Sequence, residues 1–167
     1  MMKLRHHWCR NCLRQIIIGG DEFMVIKKTH IGSYAVIIKN EKIALVRKSG
    51  GGYKGKLDLP GGGIEFREDP ITTLKREVQE EIDNDISSYS LFSVVSNNIK
   101  WEMAKDLFED LHHIGILYLV NLENDYLKSD PDERDSLGGA WYLISDLKKE
   151  DLTPFARYSL EKLGYKL

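Results

Sequence analysis

The sequence predicts an α/β fold in which a sheet lies between helical layers. Six strand-like stretches recur along the chain, one amphipathic helix interrupts them, and a second helical pattern follows the last of them. With 167 residues, of which 42% are hydrophobic and 30% charged, the chain suits one globular domain with its own core.

The predicted strands are short stretches rich in β-branched and aromatic residues. They are Glu22–Lys28, Ser33–Lys39, Lys42–Arg47, Tyr89–Asn97, His113–Leu122 and Ala140–Ile144. A short helix is expected from Ser145, and Pro154–Leu163 has apolar residues at helical spacing that should cover the other side of the sheet.

The helix amid the strands is predicted over Asp69–Ile82. Asp69 can cap it and Pro70 suits its first turn. At about 100° per residue, four apolar side chains fall within an arc of roughly 80°. These side chains, which should face the core, are Ile71, Leu74, Val78 and Ile82.

Three glutamates, Glu77, Glu80 and Glu81, form a separate face of the same helix, which we expect to be exposed. Like charges three or four residues apart destabilise a helix by about 0.2–0.5 kcal/mol per pair, so the cluster favours a bound cation. Oxygen ligands suit a hard ion such as Mg²⁺, with Mn²⁺ as an alternative, and imply a polyphosphate substrate. The competing interpretation is a solvated acidic face.

A glycine run lies immediately before the helix, in Leu59-Pro60-Gly61-Gly62-Gly63. Three consecutive residues without side chains permit positive φ and let the backbone approach a metal or a phosphate. A plain turn needs only one or two glycines, so the run favours a binding site over a solvated helix face.

Together these residues resemble the signature box of the MutT/Nudix hydrolases, Gly-x5-Glu-x7-Arg-Glu-U-x-Glu-Glu-x-Gly-U, where U is aliphatic. The matching residues are Gly62, Glu68, Arg76, Glu77, Val78, Glu80 and Glu81. The chain departs from the pattern at Asp83, in place of the last glycine, and at Asn84, in place of the last aliphatic residue.

The resemblance implies an α/β/α sandwich around a mixed sheet, covering Ile31 to Leu163. Residues 1–30 are then expected to form an N-terminal extension packed on a hydrolase domain of residues 31–167. The resemblance also implies a homodimer as one candidate assembly.

The resemblance also implies site roles. Glu77 would assist metal binding and is a candidate general base, while Glu80, Glu81 and Gly62 would be metal ligands. Arg76 would orient Glu77 and pair with Glu68. The residues alone do not rank the three glutamates.

Two loops are expected to flank the site. The glycine-rich segment 49–56, with Arg47 before it and Lys54 within it, could fold over phosphates, or it could be a solvated hairpin turn. In relatives, a loop at the place of residues 130–135 often supplies a further catalytic carboxylate, which makes Glu133 and Asp135 candidates; an ordinary charged turn is the alternative.

The substrate is the least specified part of the prediction. Gly61 and Trp101 are candidate substrate contacts, although an aromatic side chain such as Trp101 more often packs in a core. Residues 91–128 lack the proline that marks many ADP-ribose-cleaving relatives. A nucleoside triphosphate cleaved to a monophosphate and pyrophosphate is therefore favoured. The alternatives are an ADP-ribose or nucleotide-sugar pyrophosphatase, and a nucleotide-binding sensor domain without catalysis.

Composition excludes several other classes. A net charge of −2 argues against electrostatic capture of a nucleic acid polymer. The first 20 residues hold an apolar run of only three isoleucines, too short for a signal peptide or a membrane span, so a cytoplasmic location is expected. Cys9 and Cys12 form a single C-x-x-C without a second pair, which favours an ordinary reduced segment over a zinc site.

Overall fold

A computed structural model describes residues 13–18, 24–129 and 136–167. The strands in this part of the chain are β1 (Leu13–Ile18), β2 (Met24–Val36), β3 (Ile38–Lys39), β4 (Lys42–Lys48), β5 (Leu57–Asp58), β6 (Gly61–Gly63), β7 (Ile86–Ala104), β8 (Leu107–Leu122) and β9 (Ser136–Leu143). The α-helices are α1 (Pro70–Ile82) and α2 (Pro154–Lys162), and short 3₁₀ helices cover Gly51–Tyr53, Ile144–Asp146 and Lys149–Asp151. None of the described helices is long and apolar enough to cross a membrane.

The strands form two sheets. In the larger sheet the order is β1-β2-β8-β7, with β6 also paired to β2. β2 and β8 run parallel, whereas β1, β6 and β7 pair antiparallel with their neighbours. The smaller sheet joins β3, β4 and β5, with β9 along β4. The predicted mixed sheet is therefore confirmed.

The helices cover opposite faces of these strands. Tyr34 on β2 and Leu45 on β4 are buried in a core cluster with residues of α2. Their neighbours Ala35 and Val46 are buried in a second cluster with residues of α1. Because successive side chains of a strand point to opposite faces, both strands are apolar on both sides. The two clusters confirm the predicted sandwich.

The predicted break between the strands Glu22–Lys28 and Ser33–Lys39 is wrong. β2 runs without a break from Met24 to Val36 and passes through residue 30, where the sequence predicts the end of an N-terminal extension. A Cβ at Gly32 would lie 2.7 Å from the Gly62 carbonyl oxygen. Gly32 therefore permits the close approach of β6 rather than marking a turn. The assignment of residues 1–30 as an extension stays a prediction.

Other element bounds also differ from the prediction. β7 and β8 form a hairpin that extends well beyond Tyr89–Asn97 and His113–Leu122, because backbone pairing continues through polar residues. The short helix predicted from Ser145 is present as two 3₁₀ helices, Ile144–Asp146 and Lys149–Asp151. The last strand begins at Ser136 instead of Ala140. Helix α2, in contrast, ends within one residue of its predicted end.

Candidate active site

The start and the phase of α1 agree with the sequence prediction. The Asp69 carboxylate accepts hydrogen bonds from the backbone N–H groups of Ile71 and Thr72, at 2.8 and 3.0 Å, and Pro70 occupies the first turn. Leu74, Val78 and Ile82 are fully buried, while Ile71 is partly buried. The apolar stripe therefore faces the core, and its phase fixes where the box carboxylates point.

The departures from the box lie at the exit of α1. Asp83 adopts the left-handed conformation, with φ 52° and ψ 52°, that the missing glycine would adopt readily. Asn84 is buried, and its amide donates to the Asn124 carbonyl oxygen at 3.0 Å and to the Tyr126 carbonyl oxygen at 2.8 Å. The helix exit is thus retained, with hydrogen bonds to the loop after β8 where the pattern has an aliphatic side chain.

Arg76 connects the acidic groups of the box. Its Nε and Nη2 atoms donate to the two oxygens of Glu68 at 2.8 and 2.9 Å. Its Nη1 atom donates to Glu77 Oε1 at 2.7 Å and lies 3.4 Å from Glu80 Oε2. The predicted pairing with Glu68 is confirmed, and the contact with Glu77 has the geometry that an orienting group needs.

The hydrogen bonds between Arg76 and Glu68 fix the charge state of both groups. Hydrogen bonds from Arg76 lower the pKa of Glu68 to about 2, and the hydrogen bond to Glu68 raises the pKa of Arg76 above its ordinary value. Both groups are therefore charged at neutral pH. Arg76 Nη2 also donates to the Gly63 carbonyl oxygen at 3.2 Å, which ties the helix to β6.

The prediction that the glutamates lie on an exposed face is wrong for two of the three. Glu77 and Glu81 are buried, and only Glu80 is half-buried. Glu81 Oε2 accepts a hydrogen bond of 2.9 Å from the Gly61 backbone N–H, and a Cβ at Gly62 would lie 2.5 Å from Glu77 Oε1. The glycine run therefore packs directly on these carboxylates.

The backbone conformation at position 61 requires a glycine. Its φ of +147° lies where side chains are disfavoured, and a Cβ there would collide with the Ser33 carbonyl oxygen. Gly61 thus presents its N–H to Glu81, although the sequence predicts it as a substrate contact. The carbonyl oxygen of Gly62 lies near Gly32 on β2. The predicted ligand role of Gly62 stays a prediction.

Lys48 belongs to this site, although the sequence analysis favoured Arg47. Lys48 Nζ lies 4.0 Å from Glu81 Oε1, and the lysine side chain is largely buried. Arg47 is exposed, and its Nη1 donates to the Gly55 carbonyl oxygen at 2.8 Å. The alternation of side chains along β4 could have identified Lys48 from the sequence. Ala44 and Val46 face α1, and Lys48 lies on the same side of the strand.

The residues present fit a divalent cation in charge and in donor type. Glu68, Glu77, Glu80 and Glu81 bring four carboxylates, against the two cations Arg76 and Lys48. As they stand, no three acidic, histidine or cysteine side chains of the described residues converge in a metal-binding arrangement. A Mg²⁺ ion that keeps several waters needs fewer direct ligands, which the oxygen-only cluster can supply.

Trp101 and Lys54 make no hydrogen bond or ion pair with the described residues of the Arg76 network. Trp101 is half-buried and packs against Gly52, where a Cβ would lie 2.6 Å from its ring, and Lys54 is exposed on the same loop. Glu133 and Asp135 lie outside the described residues, as do Cys9 and Cys12. The substrate and catalytic roles of these residues stay predictions.

Comparison with protein families shows that the resemblance of the box reflects membership of a family. The model of the NUDIX domain matches residues 28–163, which is most of the chain. This chain is a NUDIX hydrolase. It is 27% identical over 139 residues to the 8-oxo-dGTP diphosphatase of Escherichia coli K12, covering 83% of this chain and 98% of that relative.

Solved NUDIX structures share the fold. The MutT NUDIX hydrolase of Burkholderia pseudomallei matches with a TM-score of 0.65 and 24% identity, over 81% of this chain and 98% of its own. The MutT protein of Bacillus halodurans matches with a TM-score of 0.54 and 17% identity, over 82% and 83% of the two chains. The NUDIX chain described here therefore has the fold that its box implies.

A buried histidine lies beside the site of this NUDIX hydrolase. His113 Nε2 and the Tyr34 hydroxyl are 2.6 Å apart, and the ring of His30 packs on that of His113 with centroids 5.0 Å apart. Burial lowers the pKa of His113 from 6.5 to about 3, and the charges of His30 and Lys48 act in the same direction. His113 is therefore neutral in the folded protein at neutral pH.

We expect this histidine to make the fold less stable in acid. Between pH 6.5 and 3 the unfolded chain binds a proton at this position that the folded chain does not, so stability falls as the pH falls. Chemical denaturation of wild type and His113→Phe at several pH values measures the effect. The free energy of unfolding of wild type minus that of His113→Phe should fall by about 1.4 kcal/mol for each unit by which the pH is lowered in this window. A constant difference would contradict the buried neutral histidine.

Proposed function

We propose that this NUDIX hydrolase cleaves a phosphoanhydride bond in a nucleoside diphosphate derivative, with a (d)NTP giving a nucleoside monophosphate and pyrophosphate as the favoured reaction. The observation that carries the proposal is the Arg76 network, which collects Glu68, Glu77 and Glu80 beside the glycine run of β6. The named activity of the Escherichia coli relative supports the nucleotide class.

Glu77, Glu80 and Glu81 would hold the divalent ion, Mg²⁺ or alternatively Mn²⁺. When bound, such an ion neutralises charge on the phosphoryl group and lowers the pKa of the attacking water. The other parts of the reaction belong to the chain itself. Arg76 fixes the Glu77 carboxylate through the 2.7 Å hydrogen bond, and the Gly61 N–H fixes Glu81 through the 2.9 Å hydrogen bond.

Glu77 is the proposed general base. A water oxygen attacks phosphorus, the water proton passes to a Glu77 oxygen, and the anhydride P–O bond breaks to release pyrophosphate. Arg76 supports this role of Glu77, because its guanidinium holds one Glu77 oxygen in place. Lys48, beside Glu81, is positioned to offset the negative charge that phosphates bring to the cluster.

The proposed partner is a small nucleotide rather than a nucleic acid polymer, in keeping with the net charge of −2. A homodimer and a cytoplasmic location stay predictions from the sequence. ADP-ribose and nucleotide sugars are the alternative substrates, and the same carboxylates would serve them.

A product panel tests the reaction and the substrate class together. The panel includes (d)NTPs, 8-oxo-dGTP, ADP-ribose, nucleotide sugars and dinucleoside polyphosphates, each with Mg²⁺. Phosphate release is measured with and without added pyrophosphatase or phosphatase, and Glu80→Gln is the blank. We expect pyrophosphatase-dependent release from a nucleoside triphosphate, absent in the blank. Release only from ADP-ribose or a sugar nucleotide would replace the triphosphate assignment, and nucleotide binding without any turnover would favour the sensor alternative.

A further inference from the structure

A second concave site lies on the α2 side of the sheet. This cavity, of about 460 Å³, opens between the glycine-rich loop, the middle of β7 and the start of α2. Its volume falls within the roughly 300–1,000 Å³ that is usual for small-molecule sites. None of the carboxylates of the Arg76 network lines it.

The lining of this cavity is cationic. Lys56, Lys149 and Arg157 line it, against the single acid Glu150 among the described lining residues. Lys56 Nζ donates to the Glu150 carbonyl oxygen at 2.8 Å, which uses the backbone of that residue rather than its carboxylate. Because Lys149 is paired with Glu161, Lys56 and Arg157 against Glu150 leave an excess of about one positive charge at the cavity wall.

Two features make this excess available to a ligand. The Arg157 side chain is exposed, and it forms no ion pair with any of the described residues. The cavity also includes Pro154, the first residue of α2, where the helix dipole is positive. Lys149 is the exception, because its Nζ lies 3.0 Å from Glu161 Oε1.

A backbone hydrogen bond connects the strand that carries Lys48 to the loop that lines the cavity. The Lys48 N–H donates to the Lys56 carbonyl oxygen at 2.9 Å, so the lysine beside Glu81 and the lysine of the cavity are neighbours across one strand pairing. The intervening loop is closed by a second hydrogen bond of 2.8 Å, from the Gly55 N–H to the Lys48 carbonyl oxygen. The loop that lines the cavity is thus fixed to the end of the strand that carries Lys48.

We infer that this cavity binds a phosphate group, contributed either by the terminal phosphates of the substrate or by free pyrophosphate. The first source rests on the proposed function, whereas the second does not require turnover. The planar guanidinium of Arg157 and the ammonium group of Lys56 match a phosphate in charge, and both can donate hydrogen bonds to its oxygens.

Calorimetric titration of the full chain with inorganic pyrophosphate, in the presence of EDTA, tests the phosphate site without turnover. EDTA removes divalent ions, so the box carboxylates repel the ligand and do not contribute affinity. Arg157→Gln should weaken binding by about tenfold or more, because a charge-assisted hydrogen bond contributes about 1.5–3 kcal/mol. Lys148→Gln is the matched control, since Lys148 is exposed, has the same charge and does not line the cavity.

Kinetics then distinguishes the two sources. If the cavity holds the substrate's terminal phosphate, Arg157→Gln raises KM for the nucleoside triphosphate but not for the diphosphate. If it holds free pyrophosphate, KM is unchanged and only inhibition by pyrophosphate weakens. Either result upholds the inference. Pyrophosphate binding that is absent in wild type, or equal in wild type and Arg157→Gln, overturns it, whereas loss of turnover with retained binding would count against the proposed function alone.

Discussion

Replacement of Glu77 with glutamine is expected to lower kcat by about 10²–10⁴ while the protein stays folded. The amide oxygen of glutamine can still accept the hydrogen bond that Arg76 Nη1 now donates to Glu77 Oε1 at 2.7 Å. What is lost is the negative charge, and with it the proton acceptor and one candidate metal ligand. Removal of a general base typically costs a factor of this size.

The dependence on Mg²⁺ separates the two roles of Glu77. If its main role is metal binding, a higher Mg²⁺ concentration should restore much of kcat in Glu77→Gln, and calorimetry should show weaker binding of the ion. If its main role is proton transfer, kcat should stay low at saturating Mg²⁺. Glu65→Gln is the control, because Glu65 is exposed and its side chain forms no hydrogen bond or ion pair with Arg76. Wild-type kcat in Glu77→Gln would refute both roles.

The box helix was the part of the molecule most open to prediction. Its cap, its first residue and its apolar phase depend on local chemistry within 14 residues, and each is found as expected from Asp69 to Ile82. The pairing of Arg76 with Glu68 was also accessible, since it followed from a family pattern that the chain matches closely. The fold followed from the same pattern, because a resemblance that covers most of a chain carries its topology.

The burial of the box glutamates was not predictable from the helix alone. A helical wheel places Glu81 about 60° from Val78 and about 20° from Leu74, at the edge of the apolar stripe, but it does not show that β6 will pack on it. That packing depends on Gly61, whose φ of +147° brings its N–H to the Glu81 carboxylate. Helical periodicity describes one element, whereas burial depends on what a second element covers.

The long hairpin of β7 and β8 escaped prediction for a different reason. Residues 98–112 include six charged side chains, which lower the apparent strand propensity, although Asn98 to Met103 alternates polar and apolar residues as an amphipathic strand does. The backbone nevertheless pairs as far as Ala104 and Leu107, because β8 also pairs along this part with β2, which runs parallel to it. The alternation was therefore a strand signal that the sequence analysis did not use, whereas the exact end of each strand depends on the pairing with its neighbours.

Substitution of Val78 with aspartate should destabilise the fold rather than affect catalysis selectively. Val78 is fully buried in the cluster that joins α1 to β2 and β4, so the new carboxyl group would lose its water without gaining a partner. Such burial costs several kcal/mol, against a total stability of roughly 5–15 kcal/mol for a domain. We expect a melting temperature lower by about 10 °C or more, or a largely unfolded protein.

The same helix provides a matched control for this substitution. Lys75 is exposed three residues before Val78, so Lys75→Asp introduces the same side chain where water still reaches it. We expect Lys75→Asp to melt within a few degrees of wild type, since exposed substitutions usually change stability by less than about 0.5 kcal/mol. Circular dichroism and thermal melts of both variants test the phase of α1. Equal melting temperatures would mean that Val78 does not face the core, and the orientation of Glu77 and Glu81 would then have to be reassigned, because their direction depends on the same phase.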